Sequence, residues 1–172
     1  LGGSALYQSF KLYGGATPDI DDVDLFKAMF EASQELLDKN LIEAMHDISD
    51  GGLITSLIEM ALCSNQGLNI DLDYSDKEQI IPKLFSEEAG LVIEVNNEKL
   101  ETVKKYLNKK ELFFEEVAKK NKDKKVNINS FKEEIFSENL VNLFNQWSTV
   151  SHQIQKIRDS EEAAASEKKA YE

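Results

Sequence analysis

Residues 45–53, MHDISDGGL, constrain this chain more than any other stretch. A short apolar run, Leu41, Ile42, Ala44 and Met45, leads into His46-Asp47-Ile48-Ser49-Asp50, then Gly51-Gly52, then a segment with helical apolar spacing. That order spells a strand, a tight polar turn and a helix start. Such a junction gathers free backbone N–H groups and the positive end of a helix dipole at one point, which suits an anion. Asp47 and Asp50 would repel a bare phosphate there, and a divalent cation bridging carboxylate and phosphate oxygens removes the conflict. The residues leave two readings open: a metal-bridged phosphate site, or a plain helix start in which Ser49 and Asp50 cap and the glycines only permit the turn.

Charge narrows the partners. There are 20 Lys+Arg against 32 Asp+Glu, and the resulting net charge of −12 repels phosphate backbones. Neither a basic stripe nor interleaved aromatics are present, so nucleic acid is set aside. The single cysteine, Cys63, excludes an internal disulfide and a Cys-based zinc site, and it lies on an apolar helical face, where packing is its expected role. No apolar run approaches the roughly 18 residues that span a bilayer, and no signal segment opens the chain. A cytoplasmic protein without membrane contact is expected. The chain opens at Leu1, without a methionine, in a Gly-Gly turn, and it is expected to be one part of a longer polypeptide. Its 172 residues suit one full domain and a short appendage.

Along the chain, Ser4 follows Gly2-Gly3 as a cap for a short helix. Residues 19–40 read as a helix, with Asp19, Asp21 and Asp22 crowding its start and Leu25, Met29, Ala32 and Leu36 recurring at three and four. A second helix runs from Leu53 to about Ser64. Alternating Leu68, Ile70 and Leu72 predict a strand over 67–73, and the β-branched run at 90–95 predicts another. Helical segments are expected over 75–88, with Pro82 opening a turn, and over 98–107. Strands at 112–117 and 126–128 read as a hairpin around a Lys-rich turn at 119–125. Residues 139–159 are helical in pattern, and from Ser160 a solvated helix or a frayed end is expected. The fold class is therefore α+β: two layers, a mixed sheet with helices packed mainly on one face, and a C-terminal helical extension, with strand order undetermined. No Walker loop, GxSxG elbow or HExxH is present, and His46 and His152 lie too far apart in sequence to argue a ligand pair.

Several blocks occur in a particular order: LGGSAL at 1–6, PDIDD at 18–22, HDISDGGL at 46–53, LIEMA at 57–61 and LFSEEAGLVIEV at 84–95. Together they resemble the second C-terminal-type domain of the phosphoribosylformylglycinamidine synthase family, large single-chain type, within the aminoimidazole ribonucleotide synthase-like superfamily. Near the end, Trp147-Ser148-Thr149-Val150-Ser151 followed by Lys156-Ile157-Arg158-Asp159 resembles the family's connector toward its glutaminase domain. The family then continues with Asn-Pro and Cys-Ala; here Ser160-Glu161 and an Ala-rich run stand instead.

The resemblance implies an ATP-dependent ligase of purine biosynthesis, a glutamine amidotransferase. ATP phosphorylates the formamide oxygen of formylglycinamide ribonucleotide, and ammonia from glutamine displaces the phosphate to form the amidine. It implies Mg2+ and ATP or ADP as cofactors, with Asp47 as the metal ligand, Ser49 contacting nucleotide, and Gly51 and Gly52 permitting close backbone approach. No catalytic residue is carried over to this chain. His46 is expected as a hydrogen-bonded scaffold residue and Asp50 as a helix cap. The implied organisation is a synthase-like domain over 1–137 and a helical connector over 138–172 toward a glutaminase domain absent from this chain. An ATP-binding sister domain of the same polypeptide would complete the nucleotide site, so the isolated chain is expected to be inactive. The alternative is a structural or interaction module that holds a non-reacting nucleotide or none.

Overall fold

A computed structural model describes residues 1–72 and 77–169. The chain divides into two compact units, Leu1–Met60 with Tyr74–Glu116 and Ala61–Asp73 with Val117–Glu172. Helices α1 (Ala5–Ser9) and α2 (Val23–Asp38) open the first unit, followed by strand β1 (Ala44–Asp47) and helix α3 (Gly52–Ser64), which belongs to the first unit as far as Met60 and to the second from Ala61. Strand β2 (Gly67–Leu72) belongs to the second unit. A 3-10 turn (Lys77–Gln79), α4 (Ile80–Phe85), β3 (Leu91–Glu94) and α5 (Leu100–Lys109) return to the first. Strands β4 (Ala118–Asn121), β5 (Lys125–Ser130) and β6 (Glu133–Asn139), then α6 (Leu140–Arg158) and α7 (Glu161–Lys169), complete the second.

In the first unit β1 and β3 pair antiparallel, with Met45 opposite Ile93 and Asp47 opposite Leu91. Leu36 of α2, Ile42 and Val103 of α5 form the core under this ribbon, joined by Met45, Ile93, Tyr106 and Leu107. Each such aliphatic side chain stabilises the fold by about 1.5–3 kcal/mol when fully buried. The 19–40 helix is shorter than expected because Asp22 is its N-cap, accepting a hydrogen bond from the Leu25 amide at 2.8 Å. It stops where Asn40 turns left-handed and the Leu41 amide donates to the Leu36 carbonyl at 2.9 Å. Helix α5 ends the same way at Glu111, with the Leu112 amide donating to the Leu107 carbonyl. Ser4 caps α1 as its position predicts. Pro82 sits in the first turn of α4, where its missing N–H leaves no bond unmade.

The second unit holds a mixed sheet in the order β4-β2-β5-β6, with β2 and β5 parallel and the other pairs antiparallel. Leu68, Ile70, Leu72, Val126 and Ile128 are buried on one face. The alternate positions are amides and acids linked across strands, with Asn69 Oδ1 accepting from both Asn121 and Asn127 at 2.8 and 2.9 Å. Mixed helix and sheet content agrees with the expected α+β class, although the strands divide between two sheets instead of one.

The predicted hairpin of 112–117 with 126–128 does not form. Residues 112–117 belong to no sheet, with Leu112 buried at the end of α5, and the strand begins at Ala118. Strand β4 pairs with β2, and β2 also takes β5 because the buried alternation of Leu68 and Ile70 matches that of Val126 and Ile128. The hairpin in this region joins β5 to β6 through Phe131 and Lys132, both left-handed. Strand β6 carries no periodic signal in the sequence, because its side chains are mostly exposed and lack alternation, so backbone pairing defines it. The expectation at Ser75 and the contribution of Tyr171 lie outside the described residues. Glu161–Lys169 is helical, and Ala164 of α7 is fully buried.

Candidate nucleotide-binding site

Strand β1 delivers His46 and Asp47 to its C-terminal end, and the Ile48 amide extends the pairing by donating to the Gly90 carbonyl at 2.9 Å. The chain then turns through Ser49, Asp50, Gly51 and Gly52 into α3. Gly51 and Gly52 have φ of 87° and 73°. A Cβ at Gly52 would stand 2.7–2.8 Å from backbone atoms of Phe85 and Leu84, so both conformation and space require glycine there. This is the strand, turn and helix start that the sequence predicts.

The Asp47 carboxylate is 71% exposed, with His46 Nδ1 3.4 Å away. Its backbone carbonyl accepts from the buried Ser56 hydroxyl at 2.8 Å and lies 2.6 Å from His46 Nδ1. His46 Nε2 reaches Glu59 Oε2 at 3.1 Å, so the imidazole joins β1 to α3 as a scaffold residue. Ser49 is half-buried and Asp50 exposed. At the helix start the Gly52 amide donates to the Ser49 carbonyl at 2.9 Å, and the Gly51 amide donates to Glu87 Oε1 at 2.8 Å. The same Glu87 oxygen accepts from the Ala5 amide at 2.8 Å. The N–H groups of both glycines are thus engaged within the chain.

The turn therefore brings together Asp47, Ser49, Gly51 and Gly52, all within one unit. As a place for Mg2+ the donor set is one solvent-facing carboxylate, which fits an ion that commonly takes one or two carboxylates and completes its shell with water and phosphate oxygens. Among the described residues no group of three or more His, Cys, Asp or Glu side chains is placed to enclose a metal. Ser56, Glu59 and Glu87 escaped the sequence reading. Glu59 carried a usable signal, being the sole charged residue of α3, whereas nothing local marks Glu87, whose contacts lie 36 and 82 residues away.

Residues 1–130 match the family described as "AIR synthase related protein, C-terminal domain". A probable phosphoribosylformylglycinamidine synthase, chloroplastic/mitochondrial, of Arabidopsis thaliana is 37% identical over 158 residues; the match covers 92% of this chain and 11% of that protein. Among solved structures, Thermotoga maritima PurL complexed with ATP superposes with a TM-score of 0.62 at 23% identity, covering 74% of this chain and 24% of that one. PurLQS from the same organism gives 0.62 at 19% identity, covering 81% and 24%. These two likenesses speak to fold. The chain spans about a tenth of the length of the plant relative.

Proposed function

The chain belongs to the family of AIR synthase related proteins, as their C-terminal domain, and from that membership we propose that it is one domain of a phosphoribosylformylglycinamidine synthase. In this reading the whole enzyme converts formylglycinamide ribonucleotide to its amidine with ATP and glutamine, in purine biosynthesis. The domain contributes one side of a nucleotide site. The observation that carries the reading is the HDISDGGL turn, which presents an exposed Asp47 beside Ser49 and a glycine pair. Asp47 would hold Mg2+, which neutralises phosphate charge when bound. Ser49 and the close backbone approach at Gly51 and Gly52 would adjoin the nucleotide. Solved relatives described as PurL complexed with ATP, with ADP and with formylglycinamide ribonucleotide (FGAR) support the nucleotide and substrate assignment. An ATP-binding sister domain and a glutaminase domain of the same polypeptide are the proposed partners, with 138–172 as the connector. A cytoplasmic location belongs to the same reading. Among the described residues no helix is long and apolar enough to cross a membrane.

A second reading, a domain that holds a non-reacting nucleotide or none, is favoured by one observation: Gly51 and Gly52 already spend their N–H groups inside the chain. Asp47→Asn in the full-length enzyme separates the two when turnover and retained nucleotide are measured together. Collapse of turnover in a normally folded variant supports the turnover site. Loss of nucleotide with turnover kept supports the structural reading, and no change in either ends the metal assignment.

A further inference from the structure

We propose that Glu87 is the positioning residue of this site, holding the glycine turn in the shape that presents Asp47 and Ser49. The inference rests on the nucleotide reading above. One carboxylate oxygen accepts two backbone hydrogen bonds, from Gly51 at the start of α3 and from Ala5 at the start of α1, each at 2.8 Å. A carboxylate is the anion that a helix start attracts, and charge-assisted bonds of this kind are stronger than neutral ones. The segment that carries Glu87 is itself seated against the turn, since Gly52 lies directly on the backbone of Leu84 and Phe85. Glu87 thus occupies the amide that the sequence offers to a phosphate. Its negative charge beside the turn leaves the exposed carboxylate of Asp47, and a cation held there, as the route by which a phosphate is received.

Full-length enzyme carrying this domain tests the inference through Glu87→Ala, Glu87→Gln and Glu87→Asp. Measured quantities are amide exchange over residues 1–6 and 47–53, ADP affinity, KM for ATP against kcat, and thermal midpoint. Glu87→Ala removes both bonds and is expected to weaken ADP and raise KM for ATP by about tenfold or more, with amide protection lost at Ala5 and Gly51. Glu87→Gln keeps an acceptor oxygen of the same reach and should stay within about threefold of wild type. Glu87→Asp, one methylene short, should resemble alanine, and it replaces alanine in the comparison if the alanine variant does not fold. Unchanged protection and affinity in Glu87→Ala overturn the proposal, as does a glutamine variant as impaired as alanine. A lower thermal midpoint with unchanged ADP affinity marks a structural role only and also overturns it. If Asp47→Asn changes neither retained nucleotide nor turnover while Glu87→Ala loses amide protection, the nucleotide reading fails and the role of Glu87 in shaping the turn stands.

Discussion

Gly14 and Gly52 share a left-handed backbone, with φ of 93° and 73°, but only Gly52 is also hemmed in by neighbouring main chain. A Cβ at Gly14 meets nothing within 4 Å, so Gly14→Ala should cost about 1 kcal/mol, the conformational term alone. Gly52→Ala adds a clash with the backbone of Leu84 and Phe85 and should cost about 2–4 kcal/mol. Urea unfolding of both variants checks this, with the midpoint moving at constant m-value, and equal losses would contradict the packing argument. The strand, turn and helix start that carry Asp47, Ser49 and the glycine pair were legible because their signals are local. Glu87 was not, because a carboxylate that caps a turn 36 residues away leaves no periodic trace.

Helices α2 and α5 are tied at their C-terminal ends by charge. Glu35 is bonded to Lys110 at 2.9 Å and to Lys39 at 3.0 Å, and the two ammonium groups lie 5.7 and 5.0 Å from the Tyr106 ring centre. Lys110 first and Lys39 second hold the Glu35 carboxyl down at about 2, and burial with the Glu35 charge nearby raises the Tyr106 phenol. A carboxyl lowered by folding contributes stability above its unfolded pKa and loses it as pH falls through the folded one. The stability difference between the native chain and Glu35→Gln should therefore be full above about pH 4.5 and vanish toward pH 2. A difference independent of pH across that window, in urea titrations, would refute the tie. At the end of α5, Glu111 is left-handed with φ of 57°, a position that glycine occupies without strain. Glu111→Gly should stabilise by about 0.5–1 kcal/mol, seen as a higher urea midpoint. Helices were legible at this scale because apolar residues recur at three and four, as Leu36 does in α2. Strand β6 was not, because its pairing is made by main chain alone.

For the whole molecule, one solvent-facing carboxylate at a turn is a partial binding site, and the chain spans 11% of its plant relative. The isolated chain should show no synthase or glutaminase activity, and calorimetry with Mg-ATP should find weak binding at best. Nanomolar ATP affinity would overturn that expectation. The sequence by itself determined the local alphabet: the strand–turn–helix junction at HDISDGGL, the Ser4 cap, and the buried alternation of Leu68, Ile70 and Leu72. Each of these follows from backbone sterics, capping chemistry and side-chain period, all of which act within a few residues. Only the tertiary structure decided that β2 lies between β4 and β5, and that Glu87 closes the turn from 36 residues away. Those choices depend on which distant apolar faces and unpaired backbone donors find each other, and that is settled by packing and hydrogen-bond satisfaction across the fold.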